Sequence, residues 1–121
     1  MSSPNASTEK PKLRRYEQVY ATLRRRLAGI GYLWLGTVLL IYHQCRRAGC
    51  RCARGGRFRH GPYYVWTRKV KGKTVTRMLP DPEGRLYMEW IRNRNELEAT
   101  VRKMQRISQY VAKLLSRQRR P

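Results

Sequence analysis

The sequence predicts an α+β fold, a small three-stranded antiparallel sheet packed with an N-terminal helix and a long C-terminal helix. Three features predict it: an apolar stripe of helical period ahead of Gly29, two extended runs that meet at Lys71-Gly72-Lys73, and a heptad-like apolar series after Leu86 with no Gly or Pro before Pro121.

Residues 1–11 are rich in Ser, Pro, Asn and Thr and lack an apolar period, so they read as a disordered tail ahead of one basic domain, 12–118. Leu13, Tyr16, Tyr20, Leu23 and Leu27 then step by threes and fours, which puts them on one helical stripe with Arg14, Arg15, Arg24, Arg25 and Arg26 on other faces. Gly29 and Gly31 supply the stop. Thr37 to Tyr42 is β-branched or aromatic in high proportion and too continuous for a half-exposed strand, so a buried strand is expected. Tyr63 to Val70 and Thr74 to Leu79 form a hairpin around the glycine turn. Its alternation turns Tyr64, Trp66 and Val75 inward and Arg68, Lys73 and Arg77 outward. Asp81, Pro82 and Glu83 mark a helix start. The stripe that follows, through Trp90, Leu97, Val101, Met104 and Val111, is too long for so small a sheet to cover, so it must pair with the first helix or with the same helix of a second copy.

The chain has 28 Lys and Arg against 7 Asp and Glu in 121 residues, a formal charge of +21. Hydrophobic residues make up 40%, enough for a core, so wholesale disorder is excluded. The charge is unevenly placed: from Gln18 to Pro80 there is no Asp or Glu, while Arg46, Arg47, Arg51, Arg54, Arg57, Arg59, Arg68, Lys69, Lys71, Lys73 and Arg77 have no acidic neighbour in sequence. Self-repulsion on that scale points to a polyanionic partner, and nucleic acid is the leading one. Arginines and lysines of the cysteine segment and hairpin would grip phosphates, with Arg68 and Arg77 reaching base edges. Tyr63 and Tyr64 are either sheet core or stacking groups.

The apolar run from Leu27 to Tyr42 holds three glycines and is shorter than the ~20 residues a bilayer span needs, so membrane insertion is not expected. An odd number of cysteines, Cys45, Cys50 and Cys52, with no secretory signal, suits reduced thiols in a cytoplasm. Cys50 and Cys52, one residue apart, would lie on one side of an extended segment at ~6.6 Å, a separation that two zinc-bound thiolates can accommodate. His60 or His43 would complete four ligands, and the surrounding arginines favour thiolates. Small reduced core thiols, or a redox-sensing thiol, are the other readings of the same residues.

Cys45-Arg46-Arg47-Ala48-Gly49-Cys50-Arg51-Cys52-Ala53, followed by His60-Gly61-Pro62-Tyr63, resembles a family of small uncharacterised bacterial proteins. In that family a Cys-x4-Cys-x-Cys-Ala segment leads into His-Gly-Pro-Tyr, a hairpin and a long C-terminal helix. The resemblance runs from about Gly36 to Leu115. It implies no assigned activity, and it implies gene neighbours among transposases and other mobile-element genes. Arg46 stands where a Gly commonly follows the first Cys, and the segment from Cys52 to His60 is enlarged with Arg57, Phe58 and Arg59, which leans this chain further toward phosphate binding. More weakly, the element order resembles the arm-type DNA-binding domains of phage integrases. The expectation is a DNA-binding protein accessory to a mobile element rather than an enzyme. An RNA-binding subunit of a ribonucleoprotein complex, or a small toxin-type ribonuclease using His60 with Tyr63 or Tyr64, are the alternatives.

Overall fold

A computed structural model describes residues 6–119. In chain order they form α1 (Ala6–Ala28), β1 (Thr37–His43), two short 3-10 turns (Arg51–Arg54 and Gly56–Phe58), β2 (His60–Val70), β3 (Lys73–Leu79) and α2 (Asp81–Arg119). The strands make one antiparallel sheet in the order β1-β2-β3, as the sequence predicts. Where one domain was expected, the chain divides into two compact units: Tyr32–Arg94, and α1 together with α2 from Asn95 onward.

The sheet unit is organised by β2. Lys71 (φ +49°) and Gly72 (φ +80°) both take positive φ, the two-residue turn whose twist matches that of an antiparallel pair. Behind it, Tyr64 and Trp66 alternate onto one face and are buried with Leu79 and Ile91; Trp34, Val38, Tyr87 and Met88 pack around them. An extended strap ahead of β1 ties this face to α2. Asn93 Nδ2 donates to Tyr32 O (2.8 Å), Trp34 N to Trp90 O (3.3 Å) and Trp66 Nε1 to Leu35 O (2.9 Å). The chain then turns at Gly36, φ +93°, where any Cβ would strike Trp66 Nε1 and Thr67 O.

Three expectations are corrected here. β1 is not buried: among the described residues it is an edge strand, hydrogen-bonded to β2 alone, and Leu39, Leu40, Ile41 and Tyr42 are all exposed. Arg68 and Arg77 do not oppose the core face. Arg77 is paired across the sheet with Trp66, and Arg68 sits two residues along from it, so all three share a face. The Arg68 guanidinium lies 5.3 Å over the Trp66 ring, and Arg77 is ion-paired with Glu83 of α2. Val75, paired with Arg68, lies on that same face but is exposed rather than packed.

In the helical unit α1 begins at Ala6, so 6–11 are helical and not a tail; residues 1–5 lie outside the described residues. Pro11 falls in the second turn, where it removes one hydrogen bond without ending the helix. Tyr16 stacks on Tyr110 with ring centroids 5.5 Å apart, so α1 pairs with α2. Leu23, Thr100 and Leu114 are buried, while Leu97, Met104, Ile107 and Val111 are half-buried. The buried series 97, 100, 104, 107, 111, 114 is a strict three-four repeat. Val101, assigned to the stripe by sequence, falls outside it and is exposed.

Candidate metal centre and its basic rim

Cys45, Cys50, Cys52 and His60 converge: their four donor atoms all lie within 4.8 Å of one another. Each arrives by a different local device. Cys45 comes two residues after the last residue of β1. Cys50 and Cys52 are brought round by the 3-10 turn Arg51–Arg54, closed by Ala53 N to Cys50 O (3.2 Å) and Gly55 N to Cys52 O (3.0 Å), so the pair is folded rather than extended as the spacing had suggested. His60 opens β2.

A register slip between β1 and β2 decides which histidine joins. Ile41 pairs with Tyr63 but His43 with His60, a bulge of one residue. It is built around Gly61, at φ +129°, where a Cβ would meet Ile41 O at 2.7 Å. The His60 Nε2 thereby comes to 3.2 Å from Cys50 Sγ. His43 stays exposed, its ring 4.8 Å from that of Tyr63 and 5.9 Å from that of His60, outside the donor set.

Cys45 Sγ and Cys52 Sγ are 3.2 Å apart, and the Cys45 amide donates to Cys52 Sγ at 3.1 Å. None of the three cysteines is in a disulfide. Hydrogen bonds, first with the Cys52 backbone and then with the Cys52, Cys45 and His60 side chains, bring the Cys50 thiol down to about 6. Burial pushes Cys52, which has no exposed surface, up to about 11. Two thiolates sharing a tetrahedral zinc at ~2.3 Å lie ~3.8 Å apart. The four donors span that range, and three sulfurs with one imidazole form a known tetrahedral donor set, so the residues fit a metal ion.

Around the cluster Arg46, Arg47, Arg51, Arg54, Arg57 and Arg59 are all exposed, and none forms an ion pair among the described residues. Arg54 and Arg57 hold their guanidinium carbons 5.7 and 5.0 Å from the centroid of Phe58, which braces both side chains. Cys45, Arg47, Cys50, His60 and Tyr63 line a cavity of about 310 Å³. Lys69, Lys71 and Lys73 form a second exposed group at the hairpin turn. The site residues singled out by sequence therefore separate: six exposed arginines lie in the segment that carries the cluster, three lysines lie at the turn, and Arg68 and Arg77 are engaged on the α2 side of the sheet. Tyr64 is core; Tyr63 is half-buried. Phe58 went unassigned, although an aromatic residue between two arginines is its signal.

A family model described as Domain of unknown function (DUF6788) matches residues 8–88. It takes in α1, the cluster and the hairpin and stops just inside α2, whereas the resemblance read from the motifs ran on to Leu115. No curated protein and no solved structure matches the chain. Among the described residues no helix is long and apolar enough to cross a membrane.

Proposed function

The chain belongs to the DUF6788 family, and we propose that it is a nucleic-acid-binding protein that holds the backbone of duplex DNA with an arginine knuckle pinned by structural zinc. The observation that carries this reading is the pairing of two things in one short segment: a convergent Cys3His donor set, and six exposed arginines without a carboxylate partner among the described residues. Loop arginines alone would be a floppy cationic patch, and ordering each long side chain and its backbone on binding costs entropy. A metal that fixes Cys45, Cys50, Cys52 and His60 fixes the backbone that carries them, so that cost is met on folding. Zinc suits the donors because it accepts thiolate and imidazole in closed tetrahedral sites with no redox chemistry.

Duplex is favoured over single strand because Tyr64 and Trp66 are committed to the core, which leaves Tyr63 alone of the hairpin aromatics to stack on exposed bases. The ribonuclease alternative loses ground for a related reason. His60 is turned onto Cys50 Sγ, and Tyr64 is buried away from solvent, which leaves Tyr63 as the one tyrosine beside it. The knuckle and the Lys69, Lys71 and Lys73 group lie at opposite ends of β2, which suits two phosphate grips on one backbone.

The test is the salt dependence of binding to a mixed-sequence duplex. With about six phosphates neutralised, log affinity should fall against log salt with a slope near −5, and single strands should bind more weakly. A slope shallower than about −2 would overturn the reading.

A further inference from the structure

The edge of β1 is the part of the molecule that the nucleic-acid reading leaves without a role. Its residues Leu39, Leu40, Ile41 and Tyr42 are 55, 46, 38 and 55% exposed, and among the described residues the strand has a hydrogen-bonded neighbour on one side only. From Leu27 to Cys45 there is no charged residue in a chain of net charge +21. The opposite edge is different. β3 carries Lys73 and Arg77, the kind of charged residue that keeps an edge from pairing with another strand. One edge is guarded and the other is open.

The open edge also has an apolar flank. On the sheet face away from Tyr64 and Trp66, Leu39 of β1 pairs with Val65 of β2, which pairs with Met78 of β3, and Met78 is 60% exposed. A strand added beside β1 would extend this row and satisfy the free backbone groups.

Charge selects the occupant. Arg46 and Arg47 follow the His43 end of β1, while Arg68 and Lys69 border the same cavity, about 340 Å³, as Thr37 at the other end. In a symmetric antiparallel pairing of two copies the His43 end of one strand meets the Thr37 end of the other. That sets Arg46 and Arg47 against Arg68 and Lys69 twice over, cation upon cation, which disfavours a second copy. We infer that the free edge of β1 is a docking site for an extended segment of a partner protein, apolar at its centre and bearing carboxylates at both ends. Backbone pairing and the Leu39–Ile41 row hold the centre, and the two cationic ends fix its length and reject basic strands.

The probe is a short synthetic peptide of alternating Val and Thr with paired Glu at each end, labelled with fluorescein, against a twin with Lys in place of Glu. Titrated with the full-length protein, the Glu peptide should bind at least about tenfold more tightly than its twin. At saturation the amide resonances of residues 37–43 should shift. Leu39→Thr with Ile41→Thr, both exposed positions, should weaken the Glu peptide several-fold and leave duplex binding unchanged. Equal binding of the two peptides, saturation without movement of the β1 amides, or a solution mass of two copies that Leu39→Thr reduces to one, would each overturn the proposal; the last would assign the edge to self-pairing.

Discussion

Gly84 shows how much one side chain decides. It is buried in the first turns of α2, and a Cβ there would run into the Tyr64 ring. Alanine is the better helix former by about 1 kcal/mol, yet overpacking against a core aromatic costs about 1–3 kcal/mol, so Gly84→Ala should lower stability in a urea melt. A stabilised variant would mean that α2 does not sit down on Tyr64. Nothing in the sequence announced this contact, because a lone glycine inside a helical pattern reads only as a weak position. At the cluster the opposite holds. The cysteine spacing named three members of the cluster, but the choice of His60 over His43 depends on the bulge at Gly61, which no local pattern encodes. Elemental analysis should find about one zinc per chain, lost in Cys50→Ser and retained in His43→Ala. In metal-stripped protein, iodoacetamide should modify Cys50 faster than the fully buried Cys52.

The elements differ in how plainly they could be read. α1, the hairpin and α2 follow from period and turn chemistry, because each buries one stripe or face and the sequence must mark it. β1 misled for a physical reason: a continuous apolar run is the mark of a strand covered on both faces, and here it marks an exposed edge strand that among the described residues pairs with β2 alone. The α2 seam tests the helical reading directly. Leu114, 6% exposed, lies on the 97–114 repeat, and Leu114→Ala should cost about 2–5 kcal/mol. Val101→Ala, off the repeat and 37% exposed, should cost well under about 1.5 kcal/mol. Thermal melts showing equal losses would place the seam elsewhere.

On the scale of the whole chain, the balance of charge is the organising fact. Acids return only after Pro80, and Glu83 and Asp81 engage Arg77 and Arg85 beside the sheet, leaving the arginines of the cysteine segment without carboxylate partners among the described residues. Composition raised the expectation of a polyanionic partner but could not show which cations stand free, since that depends on where α2 brings its carboxylates. Charge alone and a metal-pinned knuckle make different demands on the same measurement. Duplex affinity is to be compared at one fixed salt concentration for zinc-loaded protein and for protein stripped with chelator, with circular dichroism confirming that the helices persist. If the metal orders the arginines, stripping should weaken binding by about tenfold or more, and restoring zinc should recover it. Equal affinity with and without the metal would contradict the account, because the basic charge would then act without the fold that presents it.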